Sequence, residues 1–453
     1  MPTQPDLDRI FKAYDVRGVV PDELDADLAR RIGAAFAQWT GSPAILLGRD
    51  CRLSSPELAA AIAEGATSRG ADVIDLGLAS TDLLYFAAGS QDLPGIMLTA
   101  SHNPKQYNGL KFCLSGARPV GEETGLRALR AIVEAGDVPA VANPGHVESR
   151  DLLGAYVEHV LGFVDVDAMR PLTVVADTAN GMGGLVVPAV MARLPVKLHH
   201  LYAELDGTFP NHPADPIDPE NQKDLKVAVL EHGADVGLAF DGDADRVFLI
   251  DEHAQDVSGS ILTALVAGAL LDREPGPGAK VVHNLICSWT VPEVIREHGG
   301  VPVRTRVGHS FIKQVMADSG AIFGGEHSGH YYFRENYRAD SGLIAAVIAL
   351  GELSKSEVPL SELLQPLRRY SASGEINSRV DDQHGRTEAI AAALSHGRQD
   401  RVDGLTVEFD DWWCNVRPSN TEPLLRLNVE ARTPELLEDK TAEVLALIRG
   451  DVT

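Results

Sequence analysis

The chain has 453 residues, 44% of them hydrophobic and 23% charged, a globular composition too long for one core and sized for three or four domains. Its 40 basic and 65 acidic residues leave a net charge of −25, which argues against a nucleic-acid groove or an anionic membrane as partner but leaves room for small anions. Four cysteines, Cys51, Cys113, Cys287 and Cys414, lie far apart without a CxxC pair, so the expectation is a reducing, cytoplasmic setting with no zinc site and no disulfide framework.

The N-terminal stretch "MPTQPDLDRIFKAYDVRG" is charged and lacks the apolar core of a secretory signal, and "LIAAVIALG" at 343–351 is too short to span a bilayer. "AILLG" (44–48) reads as a buried strand. "SSPELAAAIAEGATSRG" reads as a helix with a capping serine, Pro56 in its first turn and Gly70 as its stop. "ADVIDLG" and "GIMLTA" follow as strands. The segment "TASHNPKQYNG", residues 99–109, then turns on Asn103-Pro104 and Asn108-Gly109 into the strand "LKFCL". Ser101 and His102 thereby fall just past the carboxyl end of a strand, the edge where open α/β sheets bind ligands, on a loop expected to be exposed. Being adjacent, the two side chains are poorly disposed to pair as nucleophile and base. "EETGLRALRAIVEAG" reads as a helix.

A second set opens at "PLTVVAD" (171–177) and runs through "LKVAVLEHG" to "ADVGLAFD" and "RVFLIDE". A third opens at "AKVVHNLI" (279–286) and passes "VPEVIREHGG" to "GAIFGGEHSGH". This alternation predicts parallel-type sheets with helices on both faces. The three sets read as a loose repeat in which a polar loop follows a strand, carrying Ser101, Asp241 and Glu326 in turn. From about Ser371, "GLTVEF" and "LLRLNVEA" read as antiparallel strands closed by a helix at "PELLEDKTAEVLALIRG". The expected fold is α/β: three related α/β domains with mixed, mostly parallel sheets plus a C-terminal α+β domain around a central cleft. Composition divides them at 1–146, 147–254, 255–369 and 370–453.

"AFDGDADRVFLI" sets Asp241, Asp243 and Asp245 at two-residue spacing, which in extended chain puts three carboxylates on one side. Each such pair repels by about 4 kcal/mol at 4 Å and an effective dielectric of 20. A divalent cation relieves this, and all-oxygen ligands favour Mg²⁺, Mn²⁺ or Ca²⁺ over zinc. An EF-hand is excluded, since Arg246 stands where that loop needs glycine and strands flank it. A solvated acidic turn remains open on these residues alone. So does a phosphatase using its first aspartate as nucleophile, although no further motif supports it. "GGEHSGHYYF" (324–333) offers Glu326, Ser328 and His330 to vicinal hydroxyls. "VRPSNTEP" (416–423) offers Arg417, Ser419, Asn420 and Thr421 to a phosphate dianion. Read singly, each of these loops is equally a capped or glycine-rich turn. "AYDVRG" adds Tyr14 and Arg17, and "VGHSFIK" puts His309 at a helix start.

Together, "TASHNP", "DGDADR", "GEHSGH" and "RPSNTEP", in that order, resemble the α-D-phosphohexomutase family, the phosphomannomutases and phosphoglucomutases, over essentially the whole chain. The resemblance implies interconversion of hexose 6-phosphate and hexose 1-phosphate through a phosphoserine enzyme, with hexose 1,6-bisphosphate as intermediate and activator. It implies Ser101 as the phosphoserine and Asp241, Asp243 and Asp245 as Mg²⁺ ligands, with a phosphoserine oxygen completing the site. Glu326 and Ser328 match the residues that hold the sugar 3- and 4-hydroxyls, beside His330. Arg417, Ser419, Asn420 and Thr421 match the grip on the phosphate not being transferred. His102, Lys111, Arg246, His309, Tyr14 and Arg17 fall where the family places supporting or acid–base groups. One departure is Ile286, where many bacterial members carry a lysine, so a charged contact to the substrate phosphate is either missing or supplied elsewhere, with Arg306 as the candidate. The implied partners are small hexose phosphates, with no nucleic acid or membrane, for a monomer or homodimer. A phosphoglucosamine mutase and a non-catalytic metal or sugar-phosphate binder are the alternatives.

Overall fold

The structure, a computed structural model, describes residues 7–136, 139–419 and 423–450. Among the described residues the chain forms four sheets in succession. The first orders Val16–Val19, Tyr107–Leu114, Gly95–Leu98, Ala44–Arg49, Asp72–Leu78 and Val147–Ser149, with Arg118–Pro119 added beside Tyr107–Leu114. The second orders Asp256–Val257, Val247–Asp251, Val236–Phe240, Leu172–Asp177 and Val196–Leu201. The third orders Val301–Thr305, Lys280–Asn284, Phe323–Gly325 and Tyr331–Phe333.

The repeat is topological. Gly95–Leu98 runs parallel to Ala44–Arg49 but antiparallel to Tyr107–Leu114. Val236–Phe240 is likewise parallel to Leu172–Asp177 and antiparallel to Val247–Asp251. Phe323–Gly325 is parallel to Lys280–Asn284 and antiparallel to Tyr331–Phe333. Each of the three sheets thus has a parallel pair followed by an antiparallel hairpin at the same place, and the hairpin loops are the ones that carry Ser101, the three aspartates and Glu326. The fourth sheet is antiparallel throughout, ordered Ser371–Arg379, Leu424–Ala431, Trp412–Pro418, Leu405–Glu408 and Arg398–Asp400, with the helix Pro434–Arg449 packed on it. The chain is thus three related α/β domains followed by an α+β domain.

Local chemistry accounts for the helices that frame the first sheet. Ala26–Thr40 starts where the Asp25 carboxylate accepts the Leu28 N–H and stops at Gly41, whose φ of +59° suits glycine. It lies backbone to backbone on Ser55–Ser68: a Cβ on Gly33 would fall 2.3 Å from the Ile62 carbonyl oxygen, and one on Gly65 2.0 Å from that of Arg30. The expected serine cap of Ser55–Ser68 is not formed. The Ser54 hydroxyl instead accepts from Asn108 Nδ2, and Ser55 Oγ donates to Asp50 Oδ1. The helix expected over 122–136 is α-helical only at Arg127–Glu134, because Gly125 presses on the Trp39 ring and the preceding turn, Glu122–Leu126, is irregular.

The first three domains meet at a buried carboxylate. Asp82 accepts hydrogen bonds from Ser80 beside it, from Tyr156 and from Ser341, and burial pushes its carboxyl up to about 6. The apolar helix Gly342–Lys355 runs through this junction almost wholly buried. No helix among the described residues is long and apolar enough to cross a membrane.

Candidate active site

Ser101 adopts a left-handed φ of +51° at the end of Gly95–Leu98 and is only 4% exposed. The loop is exposed at its tip, Pro104–Gln106, as expected, but Ser101 itself is buried. The aspartate loop of the second domain covers it, so closely that a Cβ on Gly242 would lie 2.4 Å from the Ser101 carbonyl oxygen. The Ser101 N–H donates to Thr99 Oγ1, and its hydroxyl donates to Asp241 Oδ2 at 2.7 Å. Sequence adjacency does not keep His102 away either, since its Nδ1 lies 3.3 Å from Ser101 Oγ. Arg246 donates to the same Nδ1, so the ring proton sits on Nε2. Burial, reinforced by the Arg246 charge, holds this imidazole well below its usual pKa, and it is neutral.

The three aspartates come together by a turn, not along an extended strand as their spacing suggests. Ala244 takes φ +61° and its N–H returns to the Asp241 carbonyl, which curls the carboxylates inward. Their ligand atoms lie within 4.8 Å of one another, and all three residues are buried. Basic and hydroxyl groups from two domains hold them. Lys111 Nζ lies 2.7 Å from Asp243 Oδ2 and 2.6 Å from Asp245 Oδ2, Thr81 Oγ1 donates to Asp243 Oδ2, and Arg246 pairs with Asp241. Burial raises the Asp241 carboxyl to about 7 against the pull of Arg246. Burial acts the same way on Asp243, but Lys111 overrides it and holds that carboxyl far below the usual range. The Oδ1 atoms of Asp243 and Asp245 are buried without a hydrogen-bond partner among the described residues. An all-oxygen set with two unsatisfied anionic oxygens fits a hard divalent cation. A second cluster, Asp245, His330 and Asp340, is closed by its own ion pair, since His330 Nδ1 donates to Asp340 at 2.9 Å.

In the third domain Glu326 is 2% exposed, its carboxylate fixed by Tyr332 OH and Asn284 Nδ2. Ser328 is half-buried on the same loop. Burial works against the charged form of His330, yet Asp245 and Asp340 raise its pKa. Lys313 stands behind Asp340 at 2.7 Å.

In the fourth domain Arg417 ends the strand Trp412–Pro418 and pairs at 3.3 Å with Glu375 and at 3.5 Å with Asp403. Ser419 follows, buried. Asn420 and Thr421 lie outside the described residues, as does the side chain of His309, which opens the helix His309–Ser319. The fourth domain faces the Glu326 loop: after burial, the Arg417 charge is the largest influence pushing the His327 imidazole down to about 3. Tyr14 packs edge-on against Phe311, and burial raises its phenol despite Arg306 nearby. Arg17 donates to Asn103 Oδ1 and to Asp15, which ties it to the Ser101 loop rather than to the Glu326 loop. Ile286 is buried against Leu285 and Trp413, an apolar contact between the third and fourth domains, and the Arg306 guanidinium stacks 3.2 Å from the Phe311 centroid.

Three residues at the site were not singled out from the sequence. Thr81 holds Asp243, Asp340 holds His330, and Arg52, 1% exposed, donates to the backbone of the Ser101 loop. Arg52 alone carried a signal, since "GRDCR" places it just past the carboxyl end of Ala44–Arg49, the same sheet edge as Ser101.

The chain matches four family models in order. These are the phosphoglucomutase/phosphomannomutase alpha/beta/alpha domains I (residues 8–139), II (154–255) and III (258–370), and the C-terminal domain of the same family (375–447). It is 44% identical to the phosphohexose mutases of Xanthomonas campestris pv. campestris strain ATCC 33913 over 97% of this chain and 99% of that protein. It is 42% identical to the phosphomannomutase of Salmonella typhimurium over 97% of this chain and 98% of that one. A crystal structure of a phosphoglucomutase/phosphomannomutase family protein from Burkholderia thailandensis superimposes with a TM-score of 0.88 at 33% identity, covering 98% of each chain.

Proposed function

The chain belongs to the phosphoglucomutase/phosphomannomutase family, and from that premise we propose that it is a phosphomannomutase, also acting as a phosphoglucomutase, that interconverts hexose 6-phosphate and hexose 1-phosphate. The observation that carries the reading is the 2.7 Å hydrogen bond from Ser101 Oγ to Asp241, which joins a hydroxyl to the acidic triad at the mouth of two sheets.

In this reading Ser101 carries the phosphoryl group. A phosphoserine brings −1.5 to −2 charge at neutral pH and so needs cations around it. Lys111 and Arg246 lie within salt-bridge distance of the triad and supply part of that charge. Asp241, Asp243 and Asp245 would hold Mg²⁺, which when bound neutralises charge on the phosphoryl oxygens. Glu326 and Ser328 orient the sugar through its hydroxyls, with His330 beside them. Arg417 and Ser419, with Asn420 and Thr421, grip the phosphate that is not reacting. His102, His309, Tyr14 and Arg17 are assigned supporting or acid–base parts.

The two phosphates of the substrates sit at opposite ends of the sugar. One serine therefore serves both only if a hexose 1,6-bisphosphate turns round between two half-reactions. In-line transfer and charge neutralisation then do most of the chemistry, and a cleft shared by separate domains gives room for the turn. The substrates are small, and the reading places the enzyme in the cytoplasm. Intact-mass measurement after incubation with hexose 1,6-bisphosphate tests it: an addition of about 80 Da, absent in Ser101→Ala, is expected. A non-catalytic binder would show no such addition.

A further inference from the structure

Arg52 lies three positions past the strand Ala44–Arg49 and is 1% exposed, the largest fully buried side chain among the described residues. Every donor of its guanidinium is in use. Nε donates to Asp50 Oδ2 at 3.1 Å, Nη1 to the carbonyls of Pro104 at 2.9 Å and Tyr107 at 3.0 Å, and Nη2 to the carbonyls of Ser101 at 2.8 Å and Asn103 at 2.7 Å. A guanidinium has five N–H groups, and all five are matched. Asp50 is itself buried and fixed, its Oδ1 accepting from the Arg52 N–H and from Ser55 Oγ. From the second domain, Phe209 covers the guanidinium at 5.0 Å, and a Cβ on Gly207 would lie 2.3 Å from Arg52 Cα.

A buried ion pair is a poor way to gain stability, because apolar residues of the same volume do as well or better. What Arg52 supplies is one conformation. It binds four carbonyls of a single loop and none of that loop's side chains, and Ser101, held at φ +51°, is the first of the four. We infer that Arg52 is a positioning residue for phosphoryl transfer, fixing the backbone of 101–107 so that the Ser101 hydroxyl keeps its line into the cleft. The inference rests on the mutase reading above. Arg52 acts through the loop and not on the substrate. Lysine keeps the charge but offers three donors from one point, which cannot span four carbonyls. Misplacing a reacting atom by about 1 Å costs on the order of 10²-fold in rate.

The test compares wild type, Arg52→Lys, Arg52→Ala and Asp50→Asn in the full chain, with Mg²⁺, hexose 1,6-bisphosphate and mannose 1-phosphate. Arg52→Lys should lose about 100-fold in kcat, with KM within about threefold and the melting temperature within a few degrees of wild type. Asp50→Asn should move the same way by less. Low-millimolar guanidinium should restore part of the kcat of Arg52→Ala without raising its melting temperature, whereas a merely structural role would raise both together. If Arg52→Lys does not fold, the guanidinium response and Asp50→Asn still decide. Turnover within threefold of wild type in Arg52→Lys, a raised KM at unchanged kcat, or no response to guanidinium would overturn the inference. Absence of turnover in the wild type would instead retire the mutase reading, so the two failures are distinct.

Discussion

Ser101 and Asp241 stand 140 positions apart, yet the serine hydroxyl donates to the aspartate at 2.7 Å across the seam between the first two sheets. The proposed carrier and the metal-capable loop are therefore held together by the fold itself, before any substrate enters.

Replacing Ser101 by alanine should abolish this link without unfolding the chain. Asp241 keeps Arg246 as a partner, so the lost hydrogen bond should cost only about 1 kcal/mol of stability. Turnover should fall by at least about 1,000-fold, because phosphoryl transfer lacks its carrier. Near-normal turnover in a folded Ser101→Ala would move the carrier elsewhere.

Asp243→Asn should weaken Mg²⁺ binding and slow transfer. It removes an anionic oxygen from the triad and leaves Lys111 with Asp245 as its remaining carboxylate. Titration calorimetry showing wild-type Mg²⁺ affinity would remove Asp243 from the ligand set.

Arg417→Ala examines whether function spans the chain. The Arg417 ion pairs are long, 3.3 and 3.5 Å, and Glu375 keeps Arg426, so stability should barely change. If Arg417 grips the idle phosphate, KM should rise for both the 1- and 6-phosphate forms and kcat should fall through poorer alignment. Wild-type KM for both would leave the fourth domain as a structural cap.

His283 should give the fold an acid limit independent of the active site. It is 5% exposed, and burial pushes its imidazole down to about 4, so it is neutral in the folded chain. Its contribution is fully present above the unfolded value of about 6.5 and is lost as pH falls through 4. The loss amounts to about 3 kcal/mol. Denaturant midpoints measured from pH 7 to 4 should fall less steeply in His283→Gln; parallel curves would contradict this.

The reversing loops were legible because each follows a short apolar run and is punctuated by glycine, proline or asparagine, which is local information. The C-terminal antiparallel strands and closing helix were legible for the same reason. Where local patterns misled, a partner distant in sequence decided the outcome. Ser54 looks like a cap until Asn108 takes its hydroxyl. The spacing of Asp241, Asp243 and Asp245 suggests a strand until Ala244 turns left-handed. Ser101 looks exposed until Gly242 of the second domain packs on its carbonyl. The sequence sets Arg52 at the sheet edge but not what it binds, since its acceptors are backbone carbonyls about 50 positions away and any residue could supply them.

The central claim is most directly tested by turnover. Purified protein with Mg²⁺ and a catalytic amount of hexose 1,6-bisphosphate should be given mannose 1-phosphate, glucose 1-phosphate and glucosamine 1-phosphate in parallel. The account predicts conversion to the 6-phosphates, with mannose best or equal to glucose and glucosamine slowest. Failure to convert any of the three would contradict it.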